Sequence, residues 1–228
     1  MIDFTKRQLE DLAHSLVEKY YEVQRKRGFK KVERIEPNIM LKDVLGLDIQ
    51  YHTLSLDDSV IGYTIGSHIE MEVFDTGSPV SVPLDGNTVF IESKLRRMNK
   101  GRENYTIMHE GAHQIFFKLF PDYYNCGVRV LRCNNKGEIT VEDSAEEYQA
   151  DYLASALLMP REIVIAGLER YYRSKQYGSK KHYVSWDKES FKKLADYLGV
   201  SKQALRIRIC ELGIIIDRTP SFIIEYED

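Results

Sequence analysis

Apolar positions recur three or four residues apart over residues 5–27, at Leu9, Leu12, Leu16, Tyr20 and Val23. This is the stripe of an amphipathic helix, and Gly28 ends it. A second short helix is expected after Pro37. From Leu47 to Ser93 the period shortens: the runs DIQYHTL, VIGYTI, HIEMEVF and TVFIES, separated by Asp, Ser, Gly, Pro and Asn, predict short strands of a small, mostly antiparallel sheet. Helical spacing returns from about Arg102 to Leu119 and stops before Pro121, and an irregular stretch follows to about Thr140. Ser144 with Glu147 three residues on has the form of a capping box, opening a helix over Ala145–Met159 that Pro160 stops. The remainder reads as helical to about Leu212, with IIID and SFIIEY as a terminal hairpin. No internal repeat or low-complexity segment interrupts the pattern.

At 228 residues with 43% hydrophobic positions, the chain can bury one substantial core. The expected fold class is α+β, divided into a domain at 1–160 that includes the N-terminal helix and a helical region at 161–228. No apolar run approaches the roughly 18 residues of a membrane span, and the first residues are charged throughout, so neither a signal peptide nor an anchor is expected. Three cysteines, Cys126, Cys133 and Cys210, form no disulfide framework, which points to a reducing compartment and the cytoplasm. The spacing of Cys126 and Cys133 matches no standard metal pattern. The net charge of −3 argues against wholesale nucleic-acid binding, yet residues 161–210 carry 12 Lys+Arg against 5 Asp+Glu. That stretch is either a partner surface or a solvated helical face.

Candidate chemistry is concentrated in YTIMHEGAHQIFFKLF. His109 and His113, at i and i+4 of the predicted helix, share a face and can reach one Zn²⁺. Glu110 is placed beside them to act on water as a general base. Either histidine alone would read as a satisfied core residue, and an H-E-x-x-H motif recurs by chance, so a third ligand decides the reading. A catalytic zinc takes three protein ligands and leaves a position open. SAEEYQADYLASALLMP offers Glu147 as the ligand, with Asp151 one turn on to accept from a ligating imidazole and fix its tautomer. Glu142, Asp143 and Glu146 are the competing carboxylates, and Asp151 could equally be a surface charge. Tyr105, Tyr152, Tyr171 and His182 are candidates for stabilising an oxyanion. The TVFIES strand, just before the active-site helix, is expected at the sheet edge, where an extended peptide would align by main-chain pairing.

H-E-x-x-H followed some thirty residues later by Glu147, Ala150, Asp151, Ala154, Leu157, Leu158, Met159 and Pro160 resembles the ImmA/IrrE family of metallo-endopeptidases. The likeness covers roughly residues 60–160 well and the termini loosely. It implies a zincin-like core in which the sheet packs on the active-site helix, with His109, His113 and Glu147 as zinc ligands and Glu110 as the catalytic glutamate. It further implies an intracellular protein substrate, a DNA-binding repressor, often encoded beside the peptidase on a mobile element. One departure stands out. The family has a bulky residue then glycine inside the motif, and this chain has Gly111 then Ala112, which predicts a locally different fit.

Residues 191–213, FKKLADYLGVSKQALRIRICELG, resemble a helix-turn-helix, with Ala195, Gly199 and Leu205 at the small, turn and core positions and Ser201 as cap. Lys202, Arg206 and Arg208 lie on its second helix. A surface that docks the protein substrate is the favoured use, and DNA binding through 191–213 the lesser one. The whole reads as a zinc-dependent endopeptidase. The alternative is a regulatory or DNA- or partner-binding protein with a silent or structural zinc site.

Overall fold

The computed structural model describes residues 3–98, 100–124, 131–134, 144–177, 180–184, 188–214 and 216–217. Thr5 opens the first helix, α1 (Lys6–Lys26): its hydroxyl accepts from the Gln8 amide while the Gln8 side chain accepts from the Thr5 amide. Two otherwise orphaned donors are satisfied this way. The predicted stripe is buried at Leu9, Leu16 and Tyr20 and half-buried at Leu12 and Val23. After Pro37 a short α2 (Pro37–Ile39) runs into a π-helical turn, Met40–Leu45, which Gly46 closes in the left-handed region.

Strands β1 (Asp48–His52), β2 (Val60–Thr64), β3 (Ile69–Asp75), β4 (Ser78–Leu84) and β5 (Thr88–Glu92) follow. Next come α3 (Leu95–Met98), α4 (Lys100–Leu119), α5 (Pro121–Tyr124), β6 (Leu131–Asn134) and α6 (Ser144–Leu158). The chain continues through α7 (Arg161–Tyr171), β7 (Arg173–Tyr177), β8 (Lys180–Val184), α8 (Lys188–Leu198), α9 (Lys202–Glu211) and β9 (Ile216–Asp217). The fold is α+β, with a small sheet in the order β1-β5-β2-β6 whose β1-β5 pair is parallel and whose other two pairs are antiparallel.

Three expectations change here. The TVFIES strand is not an edge: β5 is paired on both sides, by β1 and β2. Its five residues are all buried, as suits a strand covered on both faces. β4 escapes the sequence pattern because Pro79 and Pro83 break it; paired with β3 alone, it is an edge strand of a two-stranded ribbon, where proline is tolerated. Residues 161–212 are not helical throughout, since β7 and β8 form an antiparallel hairpin inside them. The IIID run supplies β9, which pairs parallel with β8. Its proposed partner SFIIEY, the Ser144 cap and the side chains of Cys126 and Cys133 lie outside the described residues.

A hydrophobic cluster runs from α1 to α9 through Leu9, Phe116, Leu153, Leu168 and Leu205. Arg208 sits at its margin and is not a surface residue: it is fully buried. Its Nε donates to the Met159 carbonyl at 3.0 Å, and its two terminal nitrogens donate to the Glu10 carboxylate at 2.5 and 3.0 Å. A forked pair ties the last long helix to the first. No helix among the described residues is long and apolar enough to cross a membrane. Removing one partner of a buried ion pair strands the other, so Arg208→Ala should lower the Tm by about 10 °C in a circular-dichroism melt. Lys202→Ala, on the exposed side of the same helix, should move it by less than about 2 °C.

Candidate metal centre

Helix α4 is almost entirely buried from Asn104 to Phe117, because α6 covers one of its sides and β2 another. Two i, i+4 pairs divide these sides between them. Glu110 and Gln114 face β2: the Gln114 side-chain amide donates to Thr64 Oγ1 and to the Ile65 carbonyl, both at 2.6 Å. His109 and His113 face α6. Gly111 lies against the π-helical turn, where an added Cβ would stand 2.9 Å from Leu41 Cδ1. Buried Leu41 thus fills the space that a larger side chain at position 111 would take.

The imidazoles meet Glu147 on α6. His109 Nε2 is 3.1 Å from His113 Nε2, 3.2 Å from Glu147 Oε2, and Glu147 Oε1 is 3.4 Å from His113 Nε2. Tetrahedral ligands at 2.0–2.1 Å from a metal stand roughly 3.3–3.4 Å apart, so these separations match a three-donor site. Tautomers agree with this. Asp151 Oδ1 lies 2.9 Å from His109 Nδ1, so the ring proton belongs on Nδ1 and the Nε2 lone pair turns to the cluster. Tyr105 in turn donates to Asp151 Oδ1 at 3.1 Å. Three Lewis-basic groups this close repel one another unless a proton or a cation lies among them. The donor set fits a divalent metal.

Burial would raise the Glu147 carboxyl, but hydrogen bonding and charge from His109 and His113 outweigh it and hold the group far below the usual range. Burial also holds the His113 imidazole below the ordinary histidine value, with Glu147 opposing. Burial, opposed by His109 and reinforced by Glu147, pushes Glu110 up to about 8. Neither Glu110 carboxyl oxygen has a hydrogen-bond partner among the described residues.

The competing carboxylate Glu146 is turned to the other side of His113, with Oε1 3.9 Å from Nδ1, and does not enter the donor cluster. Glu142 and Asp143 lie outside the described residues. Of the oxyanion candidates, Tyr105 spends its hydroxyl on Asp151, behind His109. Tyr152 donates to Glu10, and Tyr171 packs edge-on against Tyr197. The Tyr105 ring also stacks beside His109, and the His182 side chain lies outside the described residues. Gln114 and Gly62, which bound the Glu110 side of the site, went unnoticed in the sequence. The signal was a lone glycine inside a strand run, a mark of close backbone approach.

A tight turn joins α8 to α9. Gly199 adopts φ +68°, the Ser201 hydroxyl accepts from the Ala204 amide, and Leu205 is buried. This turn packs on the start of α4: Asn104 donates to the Gly199 carbonyl at 2.8 Å, and an added Cβ on Gly101 would meet the Val200 backbone at 2.8 Å.

An α+β chain with this His-His-Glu cluster has the parts of a metallopeptidase. The family model described as the IrrE N-terminal-like domain, Peptidase_M78, matches residues 74–209, and the chain belongs to that family. No curated protein matches it.

Purified protein should hold about one equivalent of divalent metal per chain by elemental analysis, and the His109→Ala/His113→Ala variant none. Glu147→Gln should weaken metal binding far more than Glu146→Gln. In metal-free protein the folded chain keeps a proton on Glu110 that the unfolded chain has released between pH 4.5 and about 8. Stability therefore falls as pH rises through that window. Glu110→Gln removes this penalty, so urea titrations should show its stability advantage over wild type growing from pH 5 to pH 8.

Proposed function

We propose that the protein is a zinc-dependent endopeptidase with a zincin-like core, acting on a specific intracellular protein. The observation that carries this reading is the convergence of His109, His113 and Glu147 with a separate, buried carboxylate, Glu110, one residue from the first ligand. A closed structural site would present a fourth protein donor and has no use for that carboxylate. Zinc bound by the three ligands would acidify a water and polarise the scissile carbonyl. Glu110 accepts the water proton on its carboxylate and returns it to the departing amine nitrogen. Asp151 keeps the proton of His109 on Nδ1, and Tyr105 holds Asp151 in place.

The favoured substrate is a helix-turn-helix repressor, as the resemblance to the ImmA/IrrE family implies. An acidic segment of it would dock on the outer face of α9. There Lys202, Arg206 and Ile207, with Lys6 of α1 and Phe191 of α8, line a groove of about 830 Å³. The turn that precedes α9 packs on α4 at Gly101 and Asn104, and the outer face of α9 stays exposed.

Glu110→Gln should keep full zinc and the fold while lowering repressor cleavage by about 10⁴-fold, near the upper end for loss of a general base. Near wild-type proteolysis by that variant would exclude the mechanism. Reversing Lys202 and Arg206 to Glu should slow cleavage of the whole repressor and leave a short peptide spanning its cleavage site unaffected. Tight, salt-sensitive binding to duplex DNA would speak for a regulatory protein instead.

A further inference from the structure

Glu110 and Gln114 project from α4 toward β2, four residues apart, a rise of about 6 Å. Along β2 the positions they meet are Gly62 and Thr64, two residues apart on one pleat face, about 6.7 Å. Helix and strand are therefore commensurate over this step. Gln114 fixes one end of the match through Thr64 and Ile65. At the other end, an added Cβ on Gly62 would lie 2.9 Å from Glu110 Cδ and 3.0 Å from Cγ, with Oε1 nearer still. Gly62 has neighbours on both sides, Ile91 of β5 and Cys133 of β6, so the strand is not free to shift away from an added side chain. Nothing in its conformation demands glycine, since it does not belong to the positive-φ set. In the middle of a strand, glycine otherwise only weakens the structure.

We propose that Gly62 is a positioning residue for the general base: its missing side chain makes the space in which the Glu110 carboxyl is held, and Gln114 sets the register that puts the space there. The inference rests on the reading of Glu110 as that base. An alanine at position 62 pushes the carboxyl out of its place without touching His109, His113 or Glu147. The metal stays, and the base is misplaced.

The test is a double-mutant cycle on the zinc-loaded full chain, with wild type, Gly62→Ala, Glu110→Ala and both changes together. Overpacking predicts that Gly62→Ala lowers the Tm by about 5 °C when Glu110 is present and by less than about 1 °C when it is alanine. Equal losses in both backgrounds overturn the inference. If Gly62→Ala fails to fold, folding of the double variant supports the coupling, and its failure overturns it. A merely structural glycine would leave turnover unchanged well below the Tm. Positioning predicts instead that Gly62→Ala with full zinc cleaves labelled casein with kcat at least 10-fold down and KM within twofold. Wild-type protein that binds zinc but hydrolyses neither casein nor a purified helix-turn-helix repressor defeats the reading of Glu110 itself, whereas additive Tm losses defeat only the role of Gly62.

Discussion

The site depends on one constraint: α4 is packed on several sides at once and must present different side chains to each. An i, i+4 pair on a helix addresses a single neighbour, because four residues bring the chain back to nearly the same azimuth. Moving along by one residue rotates the address by about 100°. His109 and His113 therefore turn to α6, while Glu110 and Gln114 turn to β2. The division between the His-His-Glu cluster and the pair Glu110 and Gln114 is a property of helical geometry. It holds only while both neighbours stay in place.

The close approach of those neighbours accounts for the small residues around the helix. Gly111 makes room for Leu41, Gly62 for Glu110, and Gly101 for the turn that begins α9. Each removes a side chain where two backbones, or a backbone and a buried group, approach within contact distance. Tight packing then places a carboxylate where water cannot solvate it, and burial is the largest cause of its raised pKa, with His109 opposing and Glu147 adding to it. Fold and chemistry are linked at that point by desolvation.

Local features were legible in the sequence. The histidine pair, the glutamate beside it and the E-x-x-x-D spacing of Glu147 and Asp151 each lie within two turns of one helix, where spacing fixes direction. The expectation of a small, mostly antiparallel sheet also stands. Long-range pairings were not legible. The TVFIES run looks the same at an edge as in an interior, and only the strands beside it decide. Arg208 follows the spacing of a solvated basic face, and its burial rests on Glu10, 198 residues away. Prolines hid β4 because the strand signal carries no information about which backbone donors need partners.

The clasp between Glu10 and Arg208 joins residues made 198 positions apart, and the turn that seats the start of α4 contains Gly199 and Val200. Before residues 199–208 are made, α4 has been synthesised but its start lacks the turn it leans on. The first helix can pack its apolar stripe on α6 and the π-helical turn, but its Glu10 still lacks the Arg208 guanidinium. Both are completed by the same late segment. A nascent chain that stops short of residues 199–208 would therefore carry the whole H-E-x-x-H motif without part of the architecture that holds it in place.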